Sequence, residues 1–511
     1  MISIASPSPA RRQAVLLIHG IGDQRPMESL GSFVSQATGK RPGEADGCWF
    51  RPDIRSPNFD LFQIVSYDQT LRTDFYELYW AHLMENTRFG SVWRWFWTDL
   101  INRDMADMPP AMQEAAIGAA LALALVLSLY TAAAITILSA VLLAWPAYAM
   151  AAFVAAALVA GAAAVGAVRS KGRFLITTLL ASSYAFAFGA VVWNWVVALP
   201  SWAVPAALVI VLGLTAAIAF LDRRMISPVI GDAARYLRDT PDNIAARQAI
   251  RALGVDALER LHAAERGYDR IIVVGHSLGS IIGYDILRYA FARRTRTMKL
   301  ASIPPEVRDF DEASGDPRSP DYWTAKRELC AAVGALPDGN GDATWLVTDF
   351  VTLGSPLAYA NILLAGTDQD FRRRKEGRLS PTDPPHRSRA QNEIGTRGFY
   401  GWQDRSSGAK WLTPHHAAVF AFTRWTNLFF PARRVIEGDV IGGPVGGEAL
   451  LGEGVRDVPI RTRHLFGKGF FSHTSYWRPG GELGTPSHIQ ALRLALNLQD
   501  VRSPLDLPRQ A

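Results

Sequence analysis

Short apolar runs, many of them β-branched, lie toward both ends of this chain, and two long uncharged blocks lie between them. Runs at 14–18, 61–67, 73–80, 270–274, 345–353, 422–430 and 458–464 predict strands. Several are apolar without alternation, as expected when a strand is buried on both faces. Helical spacing predicts helices near 230–238, 243–265, 280–293 and 486–498. Strands alternating with helices predict an α/β fold with a doubly wound, mostly parallel sheet. The stretches 304–342 and 366–401 are rich in Pro, Gly and charge and read as aperiodic surface insertions, one of them a lid over a cleft. No internal repeat is apparent.

The middle of the chain follows a different pattern. No residue is charged from Ala115 to Val168, nor from Phe174 to Leu221. A helix rises about 1.5 Å per residue and needs roughly 20 residues to cross a bilayer, so each block suits two spans. Trp145-Pro146 and the stretch from Pro200 to Pro205 supply the turns. The expected spans lie near 120–143, 147–168, 174–199 and 204–221. A buried hairpin in a soluble core is the competing reading. Trp93, Trp95, Phe96 and Trp97, with Arg94, read as an interfacial anchor before the first span, or as a core aromatic cluster. Arg169, Lys171 and Arg173 follow the second span, and Arg223 and Arg224 follow the fourth, whereas the other two turns carry no charge. The positive-inside rule places the basic side in the cytoplasm. Four spans return the chain to the side it left, so both flanking parts and both termini are expected there.

Composition changes this picture little. With 511 residues the chain can hold one large domain and a membrane bundle. The formal net charge of +6 is carried largely beside the apolar blocks. Arg372-Arg373-Arg374-Lys375 reads as a solvated loop or a contact for anionic headgroups. No nucleic-acid recognition module is visible. Cys48 and Cys330 are isolated, which excludes a disulfide framework and a zinc spacing, and no cofactor or metal is expected. Residues 1–13 lack the apolar core of a cleaved signal peptide. Ala- and Arg-rich usage suggests a bacterial inner membrane.

Candidate chemistry centres on Gly275-His276-Ser277-Leu278-Gly279. A strand run precedes it and helical spacing follows, which is the context of a nucleophile elbow. An idle serine in a glycine-rich turn is the bland alternative. Earlier, the strand at 14–18 ends in His19-Gly20-Ile21-Gly22. A strand ending in His-Gly is where a second backbone donor to an oxyanion is expected, so the hole is placed at the N–H groups of Ile21 and Leu278.

A base and an orienting acid should follow the serine in the order Ser, Asp or Glu, His. Of the downstream histidines, His473 in Ser472-His473-Thr474-Ser475-Tyr476-Trp477 is best placed, between a last strand and a last helix. His386, His415, His416, His464 and His488 are less well placed, and His488 reads as a surface residue. Asp439, in the glycine-rich loop after the strand at 422–430, is the expected acid and Glu437 the reserve. Asp349 and Asp285 read as structural carboxylates.

Taken in order, His19-Gly20-Ile21-Gly22, Gly275–Gly279, Thr352-Leu353-Gly354-Ser355-Pro356, Gly438-Asp439-Val440 and His473–Trp477 resemble a membrane-anchored serine lipase or esterase of the α/β-hydrolase superfamily. Only the Gly-His-Ser-Leu-Gly piece is specific by itself. The resemblance covers roughly 10–90 and 230–500. It implies a hydrolase domain, formed here by 1–110 and 225–511; the four-helix membrane domain read from the uncharged blocks at 111–224 interrupts it and departs from the compact soluble lipases. It also implies a Ser277-His473-Asp439 triad and carboxylic-ester chemistry, and the apolar spans suggest a lipid or other apolar ester beside the bilayer. An acyltransferase or thioesterase with the same triad, and a non-catalytic membrane scaffold, are the rivals. A transporter is disfavoured, because the spans hold few polar residues, such as Asn194, and no ionisable carboxylate or basic group.

Overall fold

A computed structural model describes residues 11–20, 26–43, 47–53, 62–68, 71–84, 129, 133, 202–221, 236, 241–264, 267–298, 305–335, 345–365, 367–387, 396–403, 408, 410–432, 438–439, 441–460, 472–478 and 487–499. The chain divides into two compact units, one formed by 1–85 with 235–511 and the other by 86–234.

The first unit is built on an eight-stranded sheet. Its strands are β1 (Arg11–Ile18), β2 (Cys48–Pro52), β3 (Phe62–Asp68), β4 (Leu71–Leu78), β5 (Arg270–His276), β6 (Val347–Leu353), β9 (Arg424–Phe429) and β10 (Arg456–Pro459). Strands β7 (Phe399–Gln403) and β8 (Lys410–Pro414) form a separate antiparallel hairpin. The order across the large sheet is β10-β9-β6-β5-β1-β4-β3-β2. Every pairing from β10 to β4 is parallel, and only β3 and β2 run against their neighbours. The apolar runs are buried on both faces: the consecutive residues Ala14 and Val15, and Ile272 and Val273, are wholly inaccessible. Burying each such Val or Ile side chain contributes about 1.5–3 kcal/mol.

Helices α1 (Glu28–Thr38), α3 (Pro241–His262), α4 (Leu278–Thr295) and α8 (Ser487–Leu496) accompany this sheet. The unpredicted pair α1 and β2 extends the expected architecture at the β2 edge.

Register places the strand ends together. Ile18 pairs with Gly275, His276 with Leu353, and Leu353 with Leu428. The carboxyl ends of β1, β5, β6 and β9 therefore form one rim, the edge where open α/β sheets place their sites.

Two stretches expected to be aperiodic insertions contain helices: α5 (Pro305–Ala313) and α6 (Pro320–Ala335) in the first, α7 (Asp368–Glu376) in the second. Their apolar faces are narrow and sparse, which hides them among the charges. In α6, Tyr322, Ala325 and Leu329 fall at i, i+3 and i+7 and are buried. The same face carries Lys326, whose ammonium is 2.5 Å from Asp383 with both side chains wholly buried. In α7, Thr367 caps the Asp370 N–H, with acids in the first turn and Arg373, Arg374 and Lys375 in the last, as the helix dipole favours. Lys375 is not a headgroup contact, because its ammonium donates to the carbonyls of Glu448 and Leu450.

In the second unit, α2 (Ala203–Leu221) has 19 residues and no charge. Trp202, Val209 and Leu212 are 68%, 69% and 67% exposed. The α2 side chains at 203, 204, 214 and 216–221 lie outside the described residues, and among the described residues no helix is long and apolar enough to cross a membrane. The expected spans at 120–143, 147–168 and 174–199 lie outside them as well, apart from the helical Leu129 and Ala133. So do the aromatic cluster at 93–97 and the basic residues at 169–173 and 223–224.

Candidate active site

Ser277 is the single residue between β5 and α4, and its backbone stands at φ 52°, ψ −125°. A side-chain-bearing residue in this region costs on the order of 1–3 kcal/mol and persists only where its surroundings hold it. Those surroundings are close. The Ser277 N–H donates to the Leu353 carbonyl at 3.0 Å. A Cβ on Gly275 would stand 2.7 Å from the Gly279 carbonyl oxygen and from Ser280 Cα, and one on Gly279 would overlap the carbonyls of Ile18 and His19. Both glycines are therefore demanded by the packing of strand, turn and helix.

His473 sits on a short helical turn, Ser472–Thr474. Its Nε2 is 2.7 Å from Ser277 Oγ, and its Nδ1 is 2.8 Å from Asp439 Oδ2. An ionised carboxylate only accepts, so Nδ1 carries the proton and Nε2 is left to accept from the serine hydroxyl. The chosen serine, histidine and acid thus form one hydrogen-bonded relay, drawn from positions 277, 473 and 439.

Asp439 is wholly buried. Burial by itself would raise its carboxyl. The opposing charge of His473 and hydrogen bonds from His473, Gly442 N–H and the Tyr476 hydroxyl outweigh burial and hold it below the usual carboxylate range. Its other oxygen accepts from the Ile441 N–H at 2.9 Å. The acid can sit this deep because Gly354, at φ 58°, and Gly442 leave room: a Cβ on either would stand 2.8 or 2.6 Å from Oδ2. This gives the Thr352-Leu353-Gly354 segment its place in the site. The Ser472 hydroxyl donates to the Gly438 carbonyl, tying the base's turn to the acid's segment.

The remaining candidates are placed elsewhere or serve as supports. His19 is buried and donates from Nδ1 to the Gly20 carbonyl at 2.7 Å, while its ring stacks on Trp80. Burial lowers it to about 4, so it stays neutral. Leu278 opens α4, whose N-terminal end favours negative charge. Ile21, Gly22, Glu437 and His464 lie outside the described residues. Asp349 is a structural carboxylate 2.8 Å from Arg424 and 3.9 Å from Arg270. Asp285 pairs with Arg251 at 2.5 Å and Arg288 at 3.5 Å. His415 and His416 donate to the carbonyls of Arg397 and Arg378. His488 is not a surface residue: it is 4% exposed and donates to the Arg478 carbonyl, because the first turn of α8 faces inward.

Sequence reasoning did not assign Tyr476, Gly442 or Ser472 a part. Tyr476 and Ser472 lie within the motif around His473, so nearness to the base was the only signal available. Among the described residues, no group of His, Cys, Asp and Glu could hold a metal ion.

What the fold and site define together is an α/β protein carrying a Ser-His-Asp relay at its strand ends. No protein-family model, curated protein or solved structure matches this chain.

Proposed function

We propose that this protein is a membrane-anchored serine hydrolase of the α/β-hydrolase kind, cleaving a carboxylic ester through an acyl-enzyme. The observation that carries the reading is the unbroken chain from Ser277 Oγ through His473 to Asp439, with contacts of 2.7 and 2.8 Å, on a serine held at φ 52°. Strain of this kind is kept where it exposes a nucleophile.

In this mechanism, Ser277 Oγ attacks the ester carbonyl carbon while His473 Nε2 takes the hydroxyl proton. Asp439 holds the imidazole tautomer and stabilises the imidazolium. The tetrahedral intermediate places its negative oxygen against the Leu278 N–H and, by the sequence expectation, the Ile21 N–H. Losing one such donor costs about 3–4 kcal/mol of transition-state stabilisation. Collapse breaks the bond to the alcohol oxygen, which receives the proton from His473. Water then attacks the acyl-serine, His473 again taking the proton, and releases the acid with Ser277 restored.

The substrate in this reading is a lipid or similarly apolar ester. Two features support it. The uncharged helix α2 leaves large apolar side chains exposed, as suits a lipid environment. The chain also leaves the α/β unit just after β4 and the turn Ala81–Met84, beside Trp80, which stacks on His19. The second unit is thus inserted in the chain between β4 and α3 of the first. Positive-inside charge and four-span parity, both read from the sequence, favour a cytoplasmic position for the unit that carries Ser277.

A phosphonate probe on purified full-length protein tests the chemistry. Labelling of the wild type but not of Ser277→Ala supports the reading, and an unlabelled wild type defeats it. A panel of lipid and water-soluble esters then reports the substrate class.

A further inference from the structure

The base rides on a three-residue turn, Ser472–Thr474, followed by the buried Tyr476. Something must hold its backbone at the right height above the serine. The Ser472–Gly438 bond ties the turn to the acid. A second tie runs to the strand of the nucleophile. His276 Nε2–H donates to the His473 main-chain carbonyl at 2.9 Å.

His276 is fitted for this task. It is the last residue of β5, in register with Leu353 of β6, so its backbone cannot drift. The ring is 7% exposed and lies 4.7 Å, edge-on, from Trp477, with Tyr476 at 5.8 Å. Behind it stands Gly20, where a Cβ would come 3.0 Å from His276 Nδ1 and 2.9 Å from Ser277 Cβ. His276 Nδ1 has no hydrogen-bond partner, so the contact to His473 is the ring's only polar one among the described residues. Burial and the nearby His473 push the imidazole down to about 3, so it stays neutral with its proton on Nε2.

We propose that His276 is a positioning residue for His473: adjacent residues of one strand end engage the base twice, Ser277 at its ring and His276 at its backbone. The role rests on the serine-hydrolase reading. Its consequence is that β5, the strand of the nucleophile, takes part in setting the Ser277–His473 distance. Misplacing a reacting group by about 1 Å can cost roughly a hundredfold in rate.

The test compares His276→Gln with His276→Asn in the full-length protein. The Gln amide nitrogen reaches the place of Nε2, while the Asn amide is one methylene short of it. The Gln form is expected to keep kcat within a few-fold of wild type. The Asn form should lose about 30- to 100-fold in kcat with KM little changed. Hydrogen exchange of the amides at 472–478 should rise in the Asn form and stay near wild type in the Gln form. Equal exchange and equal kcat in the two forms overturns the clamp. A wild type that takes no phosphonate overturns the hydrolase reading instead, and with it any catalytic role for His276.

Discussion

Tyr476 donates its hydroxyl to Asp439 Oδ2 at 2.8 Å, the same oxygen that accepts from His473 Nδ1. The relay is therefore braced from behind by a tyrosine three residues beyond the base. The Phe430 N–H in turn donates to that hydroxyl at 3.3 Å, linking the brace to the end of β9. Tyr476→Phe keeps the ring in its buried site and removes one donor from a charged acceptor, an interaction of about 1.5–3 kcal/mol. Part of that should appear in the rate: kcat is expected to fall about tenfold with little change in KM. Steady-state kinetics of the purified variant checks this, and an unaltered kcat would leave Tyr476 with packing alone.

Ser277→Ala should abolish ester hydrolysis and phosphonate labelling while the protein remains folded. Ser277→Gly should do the same and also melt higher, because glycine tolerates the backbone at φ 52°. The gain should be about 1 kcal/mol, near the low end of such strain. Thermal melts of the two variants, measured together, separate the chemical from the conformational cost of the elbow.

The two buried aspartates should separate cleanly. Asp439→Asn should lower kcat by several orders of magnitude, as expected when an orienting acid loses its charge, with modest loss of stability. Asp349→Asn removes the partner of Arg424 and Arg270 inside the sheet. Breaking a buried pair in this way costs about 3–5 kcal/mol, so reduced yield and melting temperature are expected, with the remaining folded protein active. The reverse pattern would move the acid to Asp349.

Glu77, near the end of β4, offers a test of pH-dependent stability. Burial pushes its carboxyl from 4.5 up to about 7, offset in part by the Met27 N–H it accepts at 2.7 Å. With the folded value above the unfolded one, the group costs nothing below pH 4.5 and destabilises progressively as pH rises toward 7. The full cost above that range is on the order of 3 kcal/mol. Glu77→Gln should therefore raise the melting temperature at pH 8 and leave it nearly unchanged at pH 4.5. A uniform shift at both pH values would rule out titration of Glu77 as the cause.

The proposed four-span topology, with the unit that carries Ser277 in the cytoplasm, is testable by labelling. In a background without Cys48 and Cys330, cysteines placed beside Trp145 or Trp202 should react with a membrane-impermeant maleimide in intact cells. Cysteines replacing Ser170 or Ser227 should react only once the membrane is opened. Labelling at position 170 in intact cells would reverse the orientation and move the substrate pool to the other side.

The sequence by itself determined what is contiguous. The run from Arg270 through Thr295 specifies strand, strained turn and helix through neighbours alone, so Ser277 was legible without any fold. The parallel α/β pattern was legible for the same reason, because strands buried on both faces show as unbroken apolar runs. Helices α5 to α7 were missed because each buries only a few apolar residues among many charges, and in α6 the charged Lys326 is itself buried against Asp383. Chain order pointed to Asp439 as the acid, but only the tertiary structure supplied the partner of each carboxylate. Asp285, Asp349 and Asp439 are all buried, and nothing in their local sequence states that arginines meet the first two while His473 meets the third. Parallel pairing aligns the ends of β1, β5, β6 and β9, and that alignment brings residues 277, 439 and 473 within hydrogen-bond reach. Hydrogen bonds act over about 3 Å, whereas the chain separating these residues is many times longer, so their meeting is a property of the sheet's register and not of any segment read alone.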